Sequence, residues 1–253
     1  MSPGLRDRLR AGEVTFGTFL NLGSPLAAEA CALAGFDWLL LDLEHGAGGE
    51  DAVVGQLLAA AAHDVPVIVR VETAERIRAG RALDAGAAGV MFPRLDTKEE
   101  SAAALAHLRY PPEGDRGVAT YNRACGFGLR SDVLDTANDD VIGVVQIETR
   151  AAIRNVEAIA GVPGTDVLFV GPRDLSQALG VPGQLDAPEY RRALERVVAA
   201  ARSAGVAAGL LAANRETADR YVDDGFTFVA VGSDSSFIAA AASAAARPRV
   251  TTS

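Results

Sequence analysis

Residues 41–46 read LDLEHG, so two carboxylates and an imidazole follow the apolar run Trp38–Leu41 at the point where it stops. Asp42, Glu44 and His45 suit proton transfer, because imidazole titrates near neutral pH and neighbouring acids orient it. The other histidines have plainer places. His63 and His107 close alanine-rich segments of helical periodicity, where a cation complements the helix dipole. Arg70 lies near the end of VPVIVRV, and a buried arginine is costly unless it meets an anion. VVQIET closes on Gln146 and Glu148, and VLFVGPRDLS runs out into Asp174.

Glu148 and Asp174 offer hard oxygen ligands with no cysteine or histidine beside them in sequence. That donor type suits Mg²⁺ or Mn²⁺, which complete their shells with water and substrate. A cation so held chelates a 2-oxo acid and acts as a Lewis acid while an enolate develops. Arg70 then supplies fixed positive charge beside the enolate oxygen, and His45 moves a proton. Asp42 and Glu44 are expected to stand behind these groups and orient them. The chemistry this set fits is aldol addition or its reverse. Each acid also has a plainer reading as the cap of the next helix. Thr149 and Asp234 are assigned to that role, and Asp174, taken alone, fits a cap for a helix starting near Leu175.

Eight apolar, β-branched or aromatic runs precede these residues: Val14–Leu20, Trp38–Asp42, Val67–Val71, Gly89–Phe92, Val141–Ile147, Asp166–Val170, Val206–Leu211 and Phe226–Val231. Helical periodicity lies between them, as in Glu50–His63, Thr73–Asp84, Lys98–Leu108 and Pro188–Ser203. Gly35, Gly86, Gly161, Gly205 and Gly225 follow helical stretches, where left-handed caps are expected. Near-continuous apolar strands alternating with helices imply a parallel sheet covered on both faces. The α/β class follows, with a (β/α)8 TIM barrel as the expected architecture. An open doubly wound sheet is the runner-up, and no G-x-G-x-x-G follows the first strand to favour it. Barrels place their chemistry at the C-terminal ends of the strands, where Asp42, Glu44, His45, Arg70, Gln146, Glu148 and Asp174 fall. The segment 111–140 is long for a connection and is expected to be functional or partly structured.

The chain of 253 residues fits one barrel domain, 1–253, with a short flexible C-terminal tail. A net charge of -9 opposes nucleic acid as a partner. No apolar run reaches a membrane span, and the first dozen residues lack the apolar stretch of a signal peptide, so a cytoplasmic protein without membrane contact is expected. The two cysteines, Cys31 and Cys125, form neither a disulfide framework nor a metal pair. Lys98 is the sole lysine among 24 basic residues, and acids on either side of it favour its charged form. A Schiff-base aldolase would need that amine neutral.

LDLEHG, VPVIVRV, LDAGAAGVMFPRLDT, YPPEGDRGVA, VVQIETRAA and FVGPRDLSQALG together resemble, in order and spacing, the HpcH/HpaI aldolases. The resemblance covers roughly Val14 to Gly232. It implies a metal-dependent pyruvate aldolase on a (β/α)8 barrel, using Mg²⁺, Mn²⁺ or Co²⁺, with pyruvate and an aldehyde as small-molecule substrates. It implies His45 as acid/base, Arg70 as enolate stabiliser, Glu148 and Asp174 as metal ligands, and Asp84 as the carboxylate that raises the basicity of His45. Substrate contacts are implied from Gln146, from the backbone of Arg173 and from Asp174, with Phe19 and Leu211 shaping the aldehyde side. Arg173 stands where relatives often carry a small residue. Asp84 ends a helix just before the fourth strand, on the face opposite His45. The resemblance answers this with a homo-oligomer, a hexamer built as a trimer of dimers, in which a neighbour supplies Asp84. Two other readings stand beside this one. An acyl-CoA lyase of the citrate lyase β or malyl-CoA lyase type would need a basic groove, and a metabolite-sensing barrel would have no need of the base.

Overall fold

A computed structural model describes residues 3–130 and 132–246. Its strands are β1 (Thr15–Leu20), β2 (Trp38–Asp42), β3 (Val67–Arg70), β4 (Gly89–Phe92), β5 (Ile142–Ile147), β6 (Val167–Val170), β7 (Ala207–Ala212) and β8 (Phe228–Ser233). They pair in parallel, each with its sequence neighbour, and β1 closes on β8. The expected TIM barrel is therefore the fold, with every strand within two residues of its expected bounds. The tail expected beyond the last helix lies outside the described residues.

Twelve α-helices surround the strands among the described residues. They are α1 (Leu5–Arg10), α2 (Pro25–Leu33), α3 (Glu50–Ala61), α4 (Arg76–Asp84), α5 (Lys98–Ala106) and α6 (Val133–Asp140). α7 (Arg150–Arg154), α8 (Val156–Ala160), α9 (Pro172–Leu179), α10 (Pro188–Ala204), α11 (Arg215–Asp223) and α12 (Asp234–Ala245) follow. The long connection is partly structured, since it contains a short 3₁₀ turn at Gly126–Gly128 and then α6.

Two apolar clusters divide the strand residues by parity. Leu39, Leu41, Val69, Val145, Ile147, Leu168 and Val170 pack outward against the helices. Trp38, Leu40, Ile68, Met91, Val144, Phe169 and Phe228 fill the barrel, and Leu5 and Leu9 of α1 join them. Strand side chains alternate between faces. Continuing the inward series along each strand brings Asp42, Arg70, Gln146 and Glu148 to the mouth. The fold positions the site by this arithmetic.

Some expected caps are corrected. Gly35, Gly86, Gly205 and Gly225 have positive φ, but Gly161 has φ −79° and Gly164, three residues on, takes the left-handed turn at φ 97°. Thr149 caps α7 by accepting from the Ala152 N–H at 3.0 Å. Asp234 is not a cap: Ser233 caps α12, and Asp234 is buried and accepts from the N–H groups of Asn21 and Leu22. Asp174 does not cap α9 either, because that helix starts at Pro172, with Gly171 before it.

Inside the barrel Trp38 stacks on Phe228, centroids 3.8 Å apart and planes 5° from parallel. A Cβ on Gly17 would lie 2.2 Å from the Trp38 ring. Gly17→Ala should therefore cost about 1–3 kcal/mol by overpacking, read as a Tm lowered by several degrees in a thermal melt. An unchanged Tm would mean that the stack has slack the geometry does not indicate.

Candidate active site

Arg70 is 7% exposed and is held by Asp42, itself 2% exposed. Its Nε donates to Asp42 Oδ1 at 2.9 Å and its Nη2 to Oδ2 at 2.7 Å, a two-pronged pair between neighbouring strands in register. Burial opposes the charge on Arg70. The bond to Asp42 and the charges of Asp42, Glu44 and Glu148 outweigh it, so the guanidinium titrates above its ordinary value. Nη1 lies 3.0 Å from Glu44 Oε2 and donates to Gln146 Oε1 at 3.4 Å. The Arg70 plane also sits over Phe19, 5.5 Å from the ring centroid, and Phe19 packs on Phe169 within the barrel. Leu211 packs against the same interior cluster from β7.

Asp42 does more than hold Arg70. Its Oδ1 accepts the N–H groups of Glu44 and His45 at 3.1 and 3.2 Å, and its Oδ2 accepts from the Asn21 amide at 2.9 Å. It thus folds the loop that carries His45. Gly46 completes that loop, because a Cβ there would lie 2.2 Å from the Asp42 carbonyl oxygen. The His45 side chain is 64% exposed, with Nε2 3.9 Å from Glu44 Oε2, and stands open at the rim.

Glu148 follows β5 directly, continues its inward series and is 4% exposed. Gln146 donates its amide to Oε2, and the Arg94 backbone N–H donates to Oε1 at 3.0 Å. Burial first, then the charges of Asp174 and Glu44, push the Glu148 carboxyl up to about 7. Gly171 leaves room beside it, as a Cβ there would come within 2.9 Å of Glu148 Oε2 and 2.8 Å of the Gln146 amide. Like-charged acids therefore act on Glu148 where the residue beside it has no side chain. The chemistry of this donor set, hard carboxylate oxygens on Glu148 with the charge of Asp174 nearby, fits a divalent cation of the Mg²⁺ kind. Among the described residues no group of three or more His, Cys, Asp or Glu forms a metal cage. A pair of carboxylates is the smaller donor set with which Mg²⁺-like ions are held beside substrate.

Asp174 and Arg173 lie in the exposed first turn of α9. Asp84 does not join the rim within the chain. It ends α4 at the opposite face and meets Arg116 Nη2 at 2.9 Å, while Arg116 stacks on Tyr110. His63 and His107 are likewise elsewhere, near Glu29 and Asp115. Sequence reasoning missed Gly171 and the Arg94 amide, both backbone contributions.

A family model for HpcH/HpaI aldolase/citrate lyase matches residues 15–241. The chain belongs to the HpcH/HpaI family. Among relatives of this HpcH/HpaI chain, the hydroxypyruvate/pyruvate aldolase of Paraburkholderia phytofirmans is 43% identical over 236 residues, 91% of each chain. The 5-keto-4-deoxy-D-glucarate aldolase of Klebsiella pneumoniae is 42% identical over 226 residues, 89% of this chain and 88% of that one. The crystal structure of an HpcH/HpaI family protein from Burkholderia cenocepacia superposes with a TM-score of 0.91 at 43% identity, covering 95% of this chain and 96% of the other. The HpcH/HpaI chain is a carbon–carbon lyase of the aldolase kind. No helix among the described residues is long and apolar enough to cross a membrane.

Asp42→Asn removes the charge opposite a buried guanidinium. It should cost about 3–5 kcal/mol, as breaking a buried pair does, and lower the urea midpoint with m unchanged. Stability within experimental error of the wild type would show that the Asp42–Arg70 pair does not organise the rim.

Proposed function

We propose that the rim cleaves 2-oxo-4-hydroxy acids to pyruvate, or a close 2-oxo acid, and an aldehyde, and catalyses the reverse addition. What supports this reading is the buried Glu148 carboxylate, close enough to Asp174 and Arg70 to feel the charge of both. Glu148 and Asp174 would hold a divalent cation, which would supply Lewis-acid stabilisation of the negative charge that develops on the 2-oxo acid. Arg70 presents fixed positive charge beside the C2 oxygen, where charge develops in the transition state. Gln146 orients Glu148, and the Arg173 backbone and Asp174 line the approach from α9. Phe19 and Leu211 give the aldehyde an apolar wall. In the cleavage direction His45 takes the proton of the C4 hydroxyl. The C3–C4 bond breaks, its electron pair passes into the enolate, and proton return at C3 gives pyruvate. Lys98 takes no part in this scheme: it is exposed in the first turn of α5, behind the Thr97–Glu100 capping box.

Pyruvate release from a panel of such acids should stop with EDTA and return with Mg²⁺, Mn²⁺ or Co²⁺. Glu148→Gln and Asp174→Asn should abolish the metal-stimulated rate with the fold intact. His45→Ala should lose about 10²–10⁴-fold. Loss of Arg70 should raise the barrel's transition-state barrier by about 3 kcal/mol, as removal of an oxyanion donor does. Borohydride with pyruvate should leave the enzyme active and unlabelled; a pyruvyl adduct on Lys98 with EDTA-indifferent turnover would sink the mechanism.

We infer also that the chain works as a homo-oligomer, a hexamer arranged as a trimer of dimers, in which Asp84 of one copy serves His45 of another. What supports this is the lower-face position of Asp84 and a large uncovered apolar surface. From Ser236 to Ala246 α12 and its end are exposed throughout, although the segment carries no charge. Leu26 and Leu33 on α2 are 77% and 66% exposed, and Tyr121, Phe127 and Leu129 of the long connection are exposed as well. Exposed apolar residues grouped in this way are the kind of surface that another chain covers. Asp84→Ala and His45→Ala chains, each weak alone, should regain part of their activity when unfolded together and refolded. A fully active monomer by light scattering would end this reading.

A further inference from the structure

Arg94 follows β4 directly after Pro93 and has φ 54°. Three non-glycine residues have positive φ among the described residues: Asp64, Arg94 and Phe127. Asp64 precedes β3 at the lower face and Phe127 lies in the long connection, so Arg94 is the one at the catalytic rim. This left-handed region is sparsely populated by residues with a Cβ, and such residues persist where the surroundings hold them.

The conformation has a visible consequence. The Arg94 N–H donates to Glu148 Oε1 at 3.0 Å, while the Gln146 amide holds Oε2. Each carboxylate oxygen has a protein donor, so the plane of Glu148 is fixed and its remaining lone pairs are free. The peptide plane that aims this N–H and the course of the chain after it are related by φ of residue 94. At +54° the N–H faces the barrel mouth while the next residue, Leu95, enters the outer core at 4% exposure. Arg94 itself is exposed and, with Glu72, Thr73 and Glu100, lines a cavity of about 450 Å³.

We infer that Arg94 is a positioning residue that acts through its backbone: the left-handed turn sets Glu148 and thereby the cation affinity of the Glu148–Asp174 pair. This rests on the reading of that pair as a cation site. The guanidinium is dispensable for it, and the tolerance of positive φ is not. Glycine enters this region freely, alanine pays as arginine does, and valine is strongly disfavoured.

Metal-stripped wild type, Arg94→Gly, Arg94→Ala and Arg94→Val would be titrated with Mn²⁺ and the free ion read by electron paramagnetic resonance. Glycine and alanine variants should bind within about twofold of wild type. The valine variant, shown to be folded by circular dichroism, should bind about ten- to a hundredfold more weakly, the range for partners that orient metal ligands. Excess Mn²⁺ should restore its turnover. Wild-type affinity in the valine variant overturns the inference, and so does a glycine variant as weak as valine, which would assign the effect to the guanidinium. If valine does not fold, hydrogen exchange decides: the residue-94 amide should be protected in wild type and exchange faster in Glu148→Ala, and equal rates overturn the inference. Wild-type protein that binds no Mn²⁺, or Glu148→Gln that binds it normally, removes the cation site itself and the inference with it.

Discussion

Asp42 receives five donors: two from Arg70, one from Asn21 and the backbone N–H groups of Glu44 and His45. No neutral side chain could do this as well. A carboxylate has about four lone-pair sites and a full charge, so it can hold a guanidinium in the plane of its fork and still cap a loop. With Asp42 in place, Arg70 is fixed in direction, Gln146 is oriented by Arg70, and Glu148 is oriented by Gln146. The order runs from β2 through β3 to β5, crossing the barrel mouth by side chains. A buried charge pair is weak evidence for stability, because desolvation offsets much of its attraction. Here its use is direction.

The surrounding barrel makes this order possible at little cost. Parallel strands buried on both faces leave one set of side chains pointing inward, and interior layers of Trp38, Leu40, Ile68, Phe169 and Phe228 form a rigid floor. The polar residues continue the same inward parity one step beyond that floor. They stay near water at the mouth, yet low enough for burial to raise Glu148 and to oppose the charge on Arg70. A site one layer deeper would leave the acids without access to a cation. A site one layer higher would be screened by solvent.

Particular residues show what was legible in the sequence. The strands were, because a strand buried on both faces reads as an unbroken apolar run, and the expected bounds came within two residues of the observed ones. Arg70 was legible as a charge in such a run. Asp234 and Gly161 were misread for the same reason: both obey local rules that tertiary contacts overrode. Asp234 has the right type and place for a cap, but the backbone of Asn21 and Leu22 claims its oxygens. Gly161 follows a helix, but the chain turns left-handed at Gly164, where the Arg109 guanidinium packs against the backbone. Gly171 and Arg94 act through an absent Cβ and an N–H, and neither leaves a side-chain signature.

The two faces of the barrel divide the labour in a way that bears on assembly. Strand ends at the mouth carry acids that crowd one another, while the lower face pairs its charges. Arg116 meets Asp84 there, and Arg6 meets Asp166. Arg116 is 6% exposed while the Asp84 side chain keeps 32% exposure, so the pair is anchored from its cationic side and its carboxylate is left partly open to solvent. A carboxylate needed only to neutralise Arg116 could be buried with it. One held from behind, at the foot of α4, is presented outward. The same face carries the long connection, whose Ala124 N–H bonds to the Asp84 carbonyl and whose Tyr121 and Phe127 are exposed. Exposed apolar residues and a partly exposed carboxylate thus lie together on one side, and an exposed imidazole lies at the other. A neighbouring copy in the proposed hexamer that brought its Asp84 to this imidazole would join the two.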